Sequence, residues 1–195
     1  LDFDWKSEYV GVLEAKVDGI TYYFIDNESY FGGFSIYSDN VLDEIRKFSF
    51  FCKAVLSALP LTGFRPDLIH CHDWQTGLIP VHLKVDYANN DFYKGIKTVM
   101  TIHNLKFQGR WIMSEIKDVT GLGDEYFTSD KLELYGDASF LKGGLVYADL
   151  ITTVSNTYAE EIKTPHYGEA LDGLLNARSN DLRGIVNGID YEDYD

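Results

Sequence analysis

Hydrophobic and polar positions change period several times along this chain, and each change marks an element. Tyr9-Val-Gly-Val-Leu-Glu-Ala-Lys-Val17 and Ile20-Thr-Tyr-Tyr-Phe-Ile25 are strand-like runs flanking Asp18-Gly19, the signature of a tight hairpin. Leu42, Ile45, Phe48, Cys52, Val55 and Leu59 then recur at spacings of three and four, predicting a helix from Asp43 that Pro60 ends. The next apolar run, Leu68-Ile-His-Cys71, predicts a buried strand after Arg65-Pro66. Side chains alternate along a strand, so His70 and His72 face one way and Cys71 the other. Leu78, Ile79, Val81, His82, Leu83 and Val85 predict a helix, with Thr76 or Asp73 as its cap and Pro80 in its first turn.

The alternation continues through Ile96 to His103, a second strand ending at His103-Asn104, with a glycine-containing loop over Leu105 to Gly109. Short helices broken by Gly121 and Gly123 are expected between Ser114 and Leu134. A helix over Phe140 to Ala148 is expected behind a Ser139 cap. Leu150 to Val154 predicts a third strand, followed by a helix for which Ser155 and Asn156 are the expected caps. A helix over Gly168 to Ala177 and a strand over Leu182 to Val186 complete the pattern. Short apolar strands alternating with helices predict an α/β fold with a mostly parallel sheet, helices on both faces, and the leading hairpin added at one edge.

Length changes the picture little: 195 residues suffice for one α/β domain. Charge matters more. A net charge of −14 argues against a nucleic-acid partner. It also leaves few clustered cations for any ligand carrying phosphate. No run approaches the roughly 18 apolar residues of a membrane helix, no signal-peptide pattern opens the chain, and Leu1 begins directly in strand-like sequence, so an internal piece is expected. Cys52 and Cys71 fall in a predicted helix and core strand, which suits free buried thiols in a reducing, cytoplasmic setting.

Several chemistries can be set aside on spacing. His70, Cys71, His72 and Asp73 suggest a metal, yet alternation turns Cys71 away and leaves two ligands, so none is expected. No residue is placed to orient a Cys–His pair, and the G-x-S-x-G elbow, G-x-G-x-x-G and the Walker loop are all absent. What remains is a set of polar residues at strand ends: Asp73, His103-Asn104 and Ser155. In parallel sheets such ends gather along one rim, where ligands bind.

These residues carry a family resemblance. Arg65-Pro-Asp-Leu-Ile-His-Cys-His-Asp-Trp74 resembles the R-P-D-x-x-H-x-H-D-W signature of bacterial glycogen synthases and plant starch synthases. Thr101-Ile-His-Asn-Leu-Lys-Phe-Gln-Gly109 resembles their T-x-H-N-x-x-x-Q-G segment, and Ser139 to Asp149, Thr153-Val-Ser155, Gly173-Leu-Leu175 and Gly184 to Asp190 follow in the family order. The resemblance implies one Rossmann-like half of the two-domain GT-B architecture, over residues 1–195 and ending at the inter-domain hinge. It implies retaining transfer of glucose from ADP-glucose (UDP-glucose in some relatives) to the non-reducing end of an α-1,4-glucan, with no metal or other cofactor. By position, Asp73 is then the catalytic aspartate near the reacting glucose and His103 contacts the donor sugar. Asn104, Gln108 and Gly109 shape the pocket, and Tyr37, in Ser35-Ile-Tyr-Ser-Asp39, matches an active-site tyrosine.

Two departures bear on activity. The family's opening K-T-G-G-L loop is absent, as is the C-terminal domain that supplies the diphosphate-binding Arg and Lys and a pair of glutamates. The resemblance therefore implies most of an N-terminal domain, inactive by itself, whose cationic partner surface lies elsewhere in the protein. The competing reading is a non-catalytic α-glucan-binding module of the same fold. Retention of Asp73, His103 and Asn104 together favours the enzyme.

Overall fold

The computed structural model describes residues 2–3, 6–33 and 37–191. Ser35 and Ile36, beside Tyr37, and Leu1, Asp4 and Trp5 in the strand-like opening lie outside the described residues. In chain order, β1 (Asp2–Phe3) pairs with β2 (Lys6–Ser7), and β3 (Gly11–Val17) pairs with β4 (Ile20–Asp26). Then come α1 (Glu28–Phe31), α2 (Val41–Ala58), β5 (Leu68–His72), α3 (Leu78–Val85), β6 (Lys97–Ile102), β7 (Arg110–Ile112), α4 (Met113–Thr120), β8 (Glu133–Leu134) and β9 (Asp137–Ser139). The chain closes with α5 (Phe140–Tyr147), β10 (Leu150–Thr153), α6 (Asn156–Glu161), α7 (Asp172–Ala177) and β11 (Leu182–Gly184).

β5, β6, β10 and β11 form one all-parallel sheet in the order β11-β10-β6-β5. Its register explains the burial. Cys71, Met100, Ile151 and Leu182 lie in one row, all buried, and face the main hydrophobic core. The neighbouring row, His72, Thr101 and Thr152, is polar and lies on the opposite face. Core residues of α5 (Phe140, Leu141 and Leu145) are fully covered, each burial contributing about 1.5–3 kcal/mol. α5 packs on α3 at close range: a Cβ on Gly77, just before α3, would lie 2.3 Å from the Phe140 carbonyl oxygen. Only glycine permits that approach.

The hairpin turns at Asp18-Gly19, both residues with positive φ (51° and 79°), as a mirror-image turn requires. With α1 it leans on α2 rather than laddering with the parallel sheet: Ile25 of β4 and Tyr30 and Phe31 of α1 pack around Phe50 and Ala54, and the Tyr30 and Phe50 rings stack at 4.1 Å. α2 begins two residues before the expected Asp43, capped by Asn40, whose side chain accepts from the Leu42 N–H. Pro60 lies within a 3-10 turn over Leu59–Thr62 that continues from the helix.

Other boundaries moved for identifiable reasons. The expected helix over Gly168 to Ala177 is confined to Asp172–Ala177, because Glu169 and Ala170 adopt left-handed backbone. The last strand stops at Gly184. A small antiparallel sheet, β7-β9-β8, was not foreseen, since two- and three-residue strands carry no periodicity. Neither Asp73 nor Thr76 caps α3 through its side chain; a 3-10 turn over Trp74–Thr76 intervenes and occupies both. Ser139 and Ser155 do cap α5 and α6, accepting from the Lys142 and Tyr158 N–H groups, and Asn156 is the first helical residue rather than a cap.

One buried titratable group sets a pH dependence. His82 on α3 is fully buried, with Nδ1 2.7 Å from Asp86 Oδ2 and Nε2 without a partner among the described residues. Burial pushes the imidazole below its ordinary value, so it is neutral at pH 7 and donates Nδ1–H to the carboxylate. Burial opposes ionisation of Asp86, but the hydrogen bond from His82 and the attraction of His82 and Lys53 together outweigh it and hold that carboxyl low. Both groups have folded values below their unfolded ones, so the unfolded chain takes up protons first on acidification. The His82 contribution is whole above about pH 6.5 and is lost as pH falls below it. The urea midpoint should therefore fall between pH 7 and pH 5, and His82→Gln should flatten that slope; an unchanged slope removes His82 as its source.

Candidate active site

The strand ends converge as parallel topology requires. Asp73 follows β5 directly, and its N–H donates to the Thr101 carbonyl at 2.9 Å, extending the ladder one residue. Its backbone then turns to φ 56°, ψ −175°, close to a region that only glycine visits freely. The turn over Trp74–Thr76 holds it there: Thr76 N–H donates to the Asp73 carbonyl, and the Thr76 hydroxyl donates to the carbonyls of His72 (2.8 Å) and Asp73 (3.1 Å). The Asp73 carboxylate Oδ1 accepts the backbone N–H of His103 at 2.8 Å, tying the ends of β5 and β6 together.

A cleft of about 940 Å³ opens at this rim. Tyr37, Asp73, Asn104, Gln108 and Gly109, all singled out from sequence, line it together. His103 does not line it. Its imidazole is turned along the sheet, with Nε2 3.0 Å from His72 Nδ1, while its backbone is held by Asp73 at the cleft edge.

Each wall has a local cause. Asn104 Oδ1 accepts the Lys106 N–H, closing a side-chain turn that shapes the loop after β6. Gln108 reaches across: its amide donates to the Leu105 carbonyl at 3.3 Å and to the Glu169 carbonyl at 2.8 Å, joining two walls. Gly109 has φ 56° and lies flat against Trp74, whose ring is also held edge-on by Phe48 at 5.0 Å. Glu44 accepts the Ser38 N–H at 2.8 Å and so fixes the segment carrying Tyr37.

The lining includes the carboxylates of Glu44, Asp73 and Glu169 against Lys106 and Arg110, and Arg110 is paired with Asp137 at 2.9 Å. Among the described residues no group of three or more His, Cys, Asp or Glu side chains is placed to hold a metal. Cys71 is buried on the core side of the sheet, and burial pushes its thiol up to about 12, which leaves it unreactive. Ser155 serves as a cap. Sequence reasoning missed Glu44, Glu169 and Ala170, whose places depend on non-local packing; only Gly168 hinted at a turn there.

An all-parallel α/β sheet with a ligand-sized cleft beyond its carboxyl ends defines a Rossmann-like ligand-binding domain. The profile of the starch synthase catalytic domain matches residues 1–177, and the chain belongs to that family. It is similar to the glycogen synthase of Lachnospira eligens, 66% identical over 194 residues covering 100% of this chain and 40% of that protein. It is 60% identical to the glycogen synthase of Lachnoclostridium phytofermentans, again over 100% of this chain and 40% of the relative. The chain thus spans about two fifths of the length of the curated relatives it matches. The catalytic domain of starch synthase IV from Arabidopsis thaliana, solved bound to ADP and acarbose, superposes with a TM-score of 0.82 at 31% identity, over 95% of this chain and 38% of that one. The fold is accordingly that of one half of a GT-B glycosyltransferase. Among the described residues no helix is long and apolar enough to cross a membrane.

Backbone strain concentrates around the cleft: Asp73, Glu169 and Ala170 all have positive φ without being glycine. Two substitutions test this from opposite sides. Gly109→Ala would set a Cβ 2.2 Å from Trp74 Cε3 in a left-handed conformation, and should cost roughly 2–4 kcal/mol. Ala170→Gly, at φ 70°, should relieve left-handed strain and gain up to about 1 kcal/mol. Urea unfolding followed by tryptophan fluorescence reads both; stability gained in Gly109→Ala or lost in Ala170→Gly would contradict the strain assignment.

Proposed function

We propose that this chain is most of the N-terminal domain of a glycogen synthase, which transfers glucose with retention from ADP-glucose to the non-reducing end of an α-1,4-glucan. The observation that carries the reading is the clasp of Asp73 on His103 at the joined ends of β5 and β6, beside a cleft lined by Asn104, Gln108 and Tyr37. The ADP and acarbose held by the plant starch synthase structure support a nucleotide-sugar donor and a glucan acceptor.

In this reading the cleft is the sugar side of the site. Retaining transfer develops positive charge on the glucosyl ring and negative charge on the departing diphosphate. The Asp73 carboxylate opposes the first, preorganised by its bond to the His103 N–H. The family resemblance assigns His103, held at the cleft edge through its backbone, to the donor sugar, while Asn104, Gln108 and Gly109 shape the pocket and Tyr37 closes it. The diphosphate requires cations, which the family resemblance assigns to the other domain. That division agrees with the excess of carboxylates along this wall and with the 40% coverage of the relatives. The chain by itself is therefore inactive, and no metal or cofactor is invoked.

The test is transfer of radiolabelled glucose into glycogen, offered as ADP-glucose and as UDP-glucose, to the full-length protein and to residues 1–195. Transfer by the first alone, faster with ADP-glucose, is expected. In the full-length protein Asp73→Ala and His103→Ala should each lower turnover by about 10²–10⁴-fold with the fold retained. Unchanged turnover in both variants would discard the site. Glycogen binding without transfer from either donor would make the protein a glucan-binding module.

A further inference from the structure

The polar face of the parallel sheet carries two histidines, His70 and His72, that the transfer reaction as described does not use. His70, His72 and His103 lie side by side where β5 and β6 end, and all three are exposed among the described residues. His70 Nε2 is 2.6 Å from the Thr101 hydroxyl, which is 2.5 Å from the Thr152 hydroxyl, so the first imidazole is anchored to the middle of the sheet. The His72 ring stacks on His70 with centroids 4.2 Å apart. His72 Nδ1 in turn lies 3.0 Å from His103 Nε2. A continuous chain of contacts thus runs from the buried threonines to the imidazole of His103.

From this geometry we infer that His72 is a positioning residue: it binds His103 Nε2, fixes the ring, and leaves Nδ1 as the His103 nitrogen available to the sugar. The inference rests on the reading of His103 as a sugar-contacting residue. Two facing ring nitrogens 3.0 Å apart form a hydrogen bond only if one proton lies between them, so the tautomers of the two imidazoles are set jointly. Burial, then the neighbouring His70 and His103, pushes the His72 imidazole below its ordinary value, with Asp73 opposing, so that His72 is neutral at pH 7. A neutral partner can hold His103 in either direction of the bond without adding charge beside the reacting sugar. The backbone of His103 is fixed separately by Asp73, so ring and main chain have independent supports.

The pair His72→Asn and His72→Gln separates positioning from bulk. Asn places its amide near the position of Nδ1, whereas Gln places it near Nε2, away from His103. Both are polar replacements at an exposed site, and both are compatible with folding. Glucose transfer into glycogen by the full-length protein is measured for these variants, for His103→Ala, and for His72→Gln combined with His103→Ala. His72→Gln should lower kcat about tenfold with KM for glycogen little changed, and His72→Asn should recover most of it, as expected for one hydrogen bond lost and restored. The double variant should be no slower than His103→Ala alone. Equal activity of His72→Asn and His72→Gln, whether both high or both low, overturns the inference while leaving the role of His103 intact. Full turnover in His103→Ala overturns the site reading and the inference together.

Discussion

The hydrogen bond from the His103 backbone N–H to the Asp73 carboxylate is the contact on which the site depends. It joins two adjacent strands just where their ladder ends, and it does so with a side chain that also faces the cleft. For this to work Asp73 must turn sharply out of the strand, and its φ of 56° is the consequence. Such a conformation costs on the order of 1–3 kcal/mol and persists only when its surroundings over-determine it. Here the ladder bond to Thr101, the 3-10 turn and both Thr76 hydroxyl contacts do so. Glycine would accept this backbone without strain but would supply no carboxylate. The strained residue is thus explained by the chemistry proposed for it rather than by the fold.

The sheet behind this contact has two unlike faces. One row, Cys71 to Leu182, is apolar and buried against the core, and it supplies the stability that tolerates strain at the rim. The other carries His70, His72, Thr101 and Thr152, whose side chains bind one another across strands. A single alternation along β5 therefore assigns Cys71 to packing and the two histidines to the polar network. Shifting the register by one residue would reverse both assignments, which is why the R-P-D-x-x-H-x-H-D-W segment reads so clearly.

Much of this was legible because it is local. The turn at Asp18-Gly19, the stripe of α2, the three central strands and the Ser139 and Ser155 caps follow from period and capping chemistry within a few residues. Asp73 and Asn104 came from their places at strand ends, Tyr37, Gln108 and Gly109 from motif resemblance, and the fold does gather them around one cleft. What escaped was non-local. The β7-β9-β8 sheet is built from strands too short to show a period. The left-handed turn at Glu169-Ala170 is carried by residues that disfavour it, and Gln108, 61 positions away, holds it by a hydrogen bond. The orientation of the His103 ring depends on His72, on a neighbouring strand, and no one-dimensional pattern encodes it.

The charge of the chain fits this division of labour. A net charge of −14 is a poor surface for a diphosphate, and the cleft repeats the imbalance at short range. On the proposed reading, an oxocarbenium-like sugar reverses the requirement: it is stabilised by a fixed carboxylate. On this wall Arg110 is already paired with Asp137 and carboxylates outnumber cations, so on the proposed reading the cations that meet the diphosphate act from across the cleft, on the other end of the breaking bond. On the same reading, Asp73 acts at the sugar end of the breaking bond and the cations of the other domain act at its diphosphate end. The acidity of this half is then part of the mechanism, and Asp73 is its focus.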